Sequence, residues 1–257
     1  MSNYKIEIIP ALADNYIYIL IDIENNITIC IDPGDHKPVE EFLKQNNLKL
    51  DYILNTHHHY DHITGNDALK SAYNCKIYAP LKDKHRISSA TDFLSENDVL
   101  DIGIFSFDII ETPGNTINHI SFHDKNLKIL FSGDTIFSSG CARILEGNKR
   151  MLFDSLNKLS QIDPSTKIFF AHEYTLKNIN FALQFEPNNQ DLIAKKTATT
   201  NLINNNKPTT PSSLANEMKT NPFFRLHNKE IRKNLGFNSD HLSFKVFQKL
   251  RDLKDNY

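Results

Sequence analysis

Residues 56–62 read THHHYDH, with four histidines and one aspartate in seven consecutive positions. Buried together without a partner, each such polar group forfeits roughly 2 kcal/mol or more of hydration. A bound cation removes that penalty, so the loop must either lie in solvent or enclose a metal. The residues before it favour the metal. DYILNT is a strand-like apolar run that delivers the histidines at its exit. In extended backbone i and i+2 project to one side, so His57 and His59 can grip one ion while His58 points away. Asp61 and His62 can serve a second ion close by.

Three other apolar runs end in, or next to, groups suited to the same chemistry. LKILFSG delivers Asp134, KIFFA delivers His172, and FDIIE delivers TPGNTINH with Asn115 and His119. Ligands at strand exits can share one rigid cleft while far apart in sequence. Two divalent ions about 3.5–4 Å apart need a bridging carboxylate, and Asp134 is the natural candidate, with His172 completing the second shell. Imidazole and carboxylate donors suit Zn, Fe or Mn. Standing alone, Asp134 reads as a turn or capping aspartate and His172 as a core histidine; the company of HxHxDH makes both of them ligands. His36, His85, His123, His227 and His241 lack that company and read as surface or structural.

The pattern along the chain mixes strands and helices, as a layered α/β or α+β architecture does. IYILIDI (17–23) and ITICID (27–32) read as a strand pair across the ENN turn. PVEEFLKQNNL (38–48) fits a helix with Val39, Phe42 and Leu43 on one face, and helical patterns recur at 64–74 and 151–161. After about residue 174 strand signals fade. TLKNINFALQFEP (175–187) looks helical up to Pro187, and NNNKPTTPSS (204–213) is a loop by composition. The last helix, from His241 onward, has Leu242, Phe244, Phe247 and Leu250 as its apolar face.

A chain of 257 residues can bury a real core, as one large domain or one domain with an appendage. Its formal net charge of −2 supplies no field for gathering nucleic acid or anionic membrane. Cys30, Cys75 and Cys141 are too few and too scattered for a disulfide framework. The opening MSNYKIEIIP lacks the apolar core of a signal peptide, and no run approaches the roughly 20 apolar residues of a membrane span. The expectation is a cytoplasmic protein that acts as a monomer.

These residues resemble the metallo-β-lactamase superfamily, and within it the glyoxalase II enzymes, the hydroxyacylglutathione hydrolases. PALADNYIYIL and IDPGD look like the family's opening strand and next turn, and THHHYDH like its metal loop. FSGDTIFSSGCARILEG and AHEYT carry further site residues. PTTPSSLANEMKTNPFFR and LRDLKD resemble the helical domain that distinguishes this family from other superfamily members. The resemblance implies an α+β fold, a four-layer αββα sandwich over residues 1–174 that is the catalytic domain. A smaller helical domain over 175–257 would bind substrate. It also implies His57 and His59 on a first metal, Asp61, His62 and His172 on a second, and Asp134 bridging. The two ions would most simply be Zn, with Fe or Mn as alternatives. Asp61 and Asp134 would stand beside the metal-activated water, and Arg143, Tyr174, Arg251 and Lys254 would contact glutathione.

Arg251 and Lys254 are i, i+3 neighbours, placed either to meet a glutathione carboxylate or to form a solvated basic helix end. Leu145 stands at a position that is aromatic in many relatives. The main departure is TPGNT where the family has TPGHT: the third imidazole of the first metal is replaced by Asn115, a weaker donor for Zn. Three arrangements follow. Asn115 coordinates, His119 substitutes, or the first site is partly empty. The implied activity is hydrolysis of an S-(2-hydroxyacyl)glutathione, such as S-D-lactoylglutathione, to a 2-hydroxy acid and glutathione. The rival readings are a persulfide dioxygenase and a degenerate homologue that binds glutathione without turnover.

Overall fold

The computed structural model describes residues 3–238 and 242–257, so His241 lies outside the described residues. The chain divides into two compact units, one of residues 1–111 with 118–133, the other of 112–117 with 134–257.

In the first unit, β1 (Tyr4–Ala11), β2 (Asn15–Asp22) and β3 (Ile27–Ile31) pair antiparallel, as the alternation around ENN predicts. Asp22 closes that turn, accepting the Glu24 and Asn25 amides at 3.1 Å. Two crossovers then change the direction of pairing. α1 (His36–Gln45) leads to β4 (Tyr52–Leu54), and α3 (Asn66–Tyr73) leads to β5 (Lys76–Pro80), so β3, β4 and β5 run parallel. Parallel strands joined by helices place all their carboxyl ends on one rim, where α/β proteins bind ligands. A one-turn helix, α2 (Tyr60–Ile63), begins at the His59 cap on that rim.

Register explains the packing. Ile19, Cys30, Ile53 and Ile77 stand opposite one another across four strands. They are buried in one cluster with Val39 and Leu43 of α1 and Leu69 of α3. The opposite face meets a second, antiparallel sheet of β7 (Val99–Ile102), β8 (Phe105–Glu111), β9 (Ile120–Asp124) and β10 (Ile129–Gly133); the short strand β6 (Asp92–Leu94) edges the first sheet. Edge-to-face rings join the sheets, with Tyr4 on Phe105 at 5.7 Å and Tyr18 on Phe131 at 5.4 Å. Helix, sheet and sheet are thus layered in this unit, with apolar residues buried on both faces of β2.

The second unit is mainly helical: α4 (Lys149–Leu159), α5 (Thr175–Ala182), α6 (Gln190–Asn204), α7 (Leu214–Thr220), α8 (Lys229–Asn234) and α9 (Ser243–Asp255). A hairpin of β11 (Ile136–Phe137) and β12 (Gly140–Cys141) and an antiparallel pair of β13 (Lys167–Phe170) and β14 (Ser212–Ser213) complete it. Glu217 of α7 is fully buried and holds several of these pieces. It accepts from Ser139 N at 2.7 Å, Ser212 Oγ at 2.5 Å and Lys195 Nζ at 2.6 Å.

Several sequence expectations need correction here. Leu242 is not on the apolar face of the last helix: it caps α9 and is 70 % exposed, while Val246 takes the buried place. The helix expected to run to Pro187 ends at Ala182. The helix α6 carries no sequence signal because its apolar residues do not fall on one stripe; only Leu192 and Thr199 are buried. Among the described residues no helix is long and apolar enough to cross a membrane.

Candidate metal centre

The three parallel strands deliver three polar segments to one rim. Directly after β3 comes Asp32, buried and at a positive φ of 51°, which turns its carboxylate away from the strand direction. Its Oδ1 accepts the Thr56 amide at 2.8 Å, and its Oδ2 accepts the Thr56 hydroxyl at 2.6 Å. Oδ2 also lies 3.1 Å from His62 Nδ1. Asp32, His57 and His62 therefore form one buried group in which each residue offers a ligand atom.

This network sets the tautomers. The Thr56 hydroxyl gives its proton to Asp32, so at 3.0 Å it accepts from His57 Nδ1–H. His57 Nε2 is then the lone-pair nitrogen, and it lies 2.9 Å from His59 Nδ1. His62 likewise donates Nδ1–H to Asp32, and its Nε2 lies 3.5 Å from Asp61 Oδ2. Burial first, and then the imidazoles of His62, His119, His59 and His58, hold the His57 pKa well below its ordinary value, so the ring is neutral as ligation requires. Such carboxylate-backed imidazoles are the usual support of a metal site.

Asp61 is held from two sides. Asn15, at the start of β2, donates its amide to Asp61 Oδ2 at 2.9 Å and to Asp61 O at 3.1 Å. On the other side a Cβ at Gly34 would lie 1.9 Å from the Asp61 carbonyl oxygen, so only glycine fits there. Tyr60, between His59 and Asp61, is 84 % exposed. His119 stacks on His57 with ring centroids 4.8 Å apart. Gly133, at φ +46°, leaves room for it: a Cβ would lie 2.6 Å from His119 Nε2 and 2.5 Å from Thr56 Oγ1.

The second unit carries the remaining expected ligands. Asp134 and His172 are both buried, with Oδ1 and Nε2 at 3.2 Å. The Tyr174 ring stacks flat on His172 at 4.9 Å, and Phe137 meets both edge-on. Asn115 donates Nδ2 to the Arg143 carbonyl at 3.0 Å, and its own backbone oxygen accepts the Leu145 and Glu146 amides. Its Oδ1 is buried with no hydrogen-bond partner among the described residues. That orphaned oxygen is a donor that divalent Zn, Fe or Mn can accept, though weaker than imidazole.

Arg143 is exposed, whereas neither Arg251 nor Lys254 belongs to a solvated helix end. Arg251 is 3 % exposed and donates to the carbonyls of Cys141 and Ala142 at 3.1 and 2.9 Å, and to Asp255 at 2.8 Å. Lys254 lies over the rings of Phe181 and Tyr257, its Nζ buried and without a hydrogen-bond partner among the described residues. Burial, then Arg251 and Lys177, lowers its pKa to about 8.

The chain's likeness to known proteins runs its whole length. Residues 15–172 match the metallo-beta-lactamase superfamily, and residues 173–257 match the hydroxyacylglutathione hydrolase C-terminus. A hydroxyacylglutathione hydrolase of Pelagibacter ubique is 38% identical over 253 residues, covering 98% of this chain and 100% of the relative. The chain belongs to the hydroxyacylglutathione hydrolases. A Synechocystis member is also 38% identical, over 255 residues, covering 97% of this chain and 98% of the relative. Among solved structures, ETHE1 from Myxococcus xanthus superposes with a TM-score of 0.67 at 21% identity, covering 97% of each chain. The BLEG-1 B3 metallo-beta-lactamase gives 0.66 at 23%, covering 86% of this chain and 99% of that one. Those two likenesses show the metallo-β-lactamase fold alone. The full-length relatives favour the hydroxyacylglutathione hydrolases over both rival readings.

Asp32, Thr56 and Asn15 were not foreseen as supports of the site. The one available signal was an aspartate closing a buried strand in ITICID.

Proposed function

We infer that this enzyme hydrolyses the thioester of S-(2-hydroxyacyl)glutathiones, S-D-lactoylglutathione among them, to a 2-hydroxy acid and glutathione. The observation that carries the reading is the convergence of two imidazole nitrogens, His57 Nε2 and His59 Nδ1, to 2.9 Å on a loop braced by Asp32. In this reading His57, His59, Asp61, His62, Asp134 and His172 would hold two divalent ions. Asn115 Oδ1 would serve as an amide donor in place of an imidazole. Zn is the preferred metal by donor type, with Fe and Mn acceptable.

Divalent metal in such a centre would supply Lewis acidity, lowering the pKa of water to about 7 and polarising the acyl carbonyl. The protein's own part is to hold donors in one protonation state and one direction. Asp32 and Thr56 do this for His57 and His62, and Asn15 does it for Asp61. The leaving thiolate needs little protonation, since a free thiol ionises at about 8.5. Residues 1–174 act as the catalytic domain and 175–257 as the substrate-binding domain, with Arg143, Tyr174, Arg251 and Lys254 toward the peptide. Because Arg251 already serves two carbonyls and Asp255, Lys254 is the cation with capacity left for a substrate carboxylate.

The test is S-D-lactoylglutathione hydrolysis by purified protein supplied with Zn, Fe or Mn, against a chelated control. Metal-dependent release of glutathione is expected. Folded protein with no turnover under any metal would refute the reading.

A further inference from the structure

His58 sits between the two imidazoles read as ligands and holds no place in that reading. Its ring is nevertheless fixed. His58 Nδ1 lies 3.0 Å from Asp83 Oδ2, and Arg86 Nη1 lies 3.2 Å from His58 Nε2. Arginine has only donors, so Nε2 accepts and Nδ1–H donates to Asp83. The Asp83 side chain is fully buried, at the end of a 3-10 turn, Leu81–Asp83, that follows β5. Its other oxygen, Oδ1, accepts the Asn118 amide at 2.7 Å. Asn118 directly precedes His119, whose ring stacks on His57.

A buried carboxylate is expensive unless fully hydrogen-bonded, and a surface histidine needs no such partner. Here one carboxylate joins the exit of β5, the 118–119 segment and the metal loop. The backbone at His59 is extended, with φ −61° and ψ 143°. On an extended stretch, holding His58 outward obliges its neighbours on both sides to project the other way.

We propose that Asp83 is a positioning residue: through His58 it holds the loop so that His57 Nε2 and His59 Nδ1 converge before metal arrives. This rests on the reading of His57 and His59 as ligands. A carboxylate that merely caps the 3-10 turn would contribute to folding without altering affinity for metal.

Zinc affinity separates the two roles, measured on metal-free protein by competition with a chromophoric chelator. The proteins compared are wild type, His57→Ala, His58→Ala, Asp83→Asn and the His58→Ala, Asp83→Asn double variant. Wild type is expected to bind zinc and His57→Ala to lose most of that affinity. His58→Ala and Asp83→Asn should each weaken binding by about tenfold, as loss of an outer partner of a metal site does. The double variant should be no weaker than the weaker single, because both act through one contact. At saturating zinc, both singles should lower kcat more than they alter KM. Should Asp83→Asn fail to fold, His58→Ala, whose ring is partly exposed, carries the test. Wild-type zinc affinity in His58→Ala, or singles whose effects multiply in the double variant, would overturn the proposal. So would a lower Tm with unchanged affinity. If wild type binds no zinc, or His57→Ala binds it as tightly, the ligand reading fails first and takes this inference with it.

Discussion

Asn115 donates its side-chain amide to the Arg143 carbonyl at 3.0 Å, and that bond leaves its Oδ1 buried and unclaimed by any described hydrogen-bond donor. The residue is oriented, so the substitution of an amide for imidazole does not simply empty the position. Replacing Asn115 by His should tighten zinc binding at the weaker site by about tenfold, roughly 1.4 kcal/mol. Asn115→Leu should weaken it below wild type. Chelator competition reads both, and equal affinities in all three proteins would remove Asn115 from the ligand set.

Asn15 makes a prediction about Asp61. Its amide donates to the carboxylate and to the backbone oxygen of the same residue. Loss of a hydrogen bond to a charged group is worth about 1.5–3 kcal/mol, so Asn15→Leu should lower the urea-unfolding free energy of metal-free protein by about that much. The same variant should lose kcat. Asn15→Asp should be worse on both counts, because two carboxylates would then face each other.

Lys254 predicts a pH dependence with a definite sign. Its pKa in the folded protein is about 8, so it is a cation below that pH and neutral above it. KM for the anionic substrate should rise as pH passes through about 8 in wild type. Lys254→Met should show a raised KM at pH 7 and no such rise. Stability runs the other way. The folded pKa lies below the unfolded value, so the unfolded chain binds more protons between about pH 8 and 10. This group therefore adds stability as pH increases through that window, and the urea midpoint of wild type relative to Lys254→Met should climb there.

Glu217 supplies a stability test unrelated to metal. The Lys195 side chain is only 9 % exposed, with Nζ 2.6 Å from its carboxylate. Glu217→Ala strands that ammonium, which should destabilise by about 3–5 kcal/mol in urea unfolding. Glu217→Gln with Lys195→Met should recover part of the loss.

What could be read in the sequence was whatever is local. THHHYDH is a contiguous motif after an apolar strand, and the i, i+2 rule already separates His57 and His59 from His58. The strand pair around ENN was legible for the same reason. Asp32, Asn15 and Asp83 were not, because each acts on a residue 24 or more positions away in the chain. Nothing near them in sequence marks the partner. Helix α6 was missed because its pattern is weakly amphipathic, and tertiary contacts rather than periodicity stabilise it. Arg251 shows the opposite failure: an i, i+3 spacing with Lys254 was visible, but its burial among carbonyls was not.

The strut between Asp32 and Thr56 has a practical consequence. Thr56 N–H donates to a carboxylate oxygen at 2.8 Å, and the other oxygen of that carboxylate faces the ring of His62. Donation to a charged acceptor gives short, strong hydrogen bonds. The amide proton of Thr56 is thus a native spectroscopic reporter, one carboxylate away from an imidazole proposed as a ligand. Its nuclear resonance should move as zinc is titrated in, so loading of the centre can be followed at a single backbone site without altering any residue that takes part.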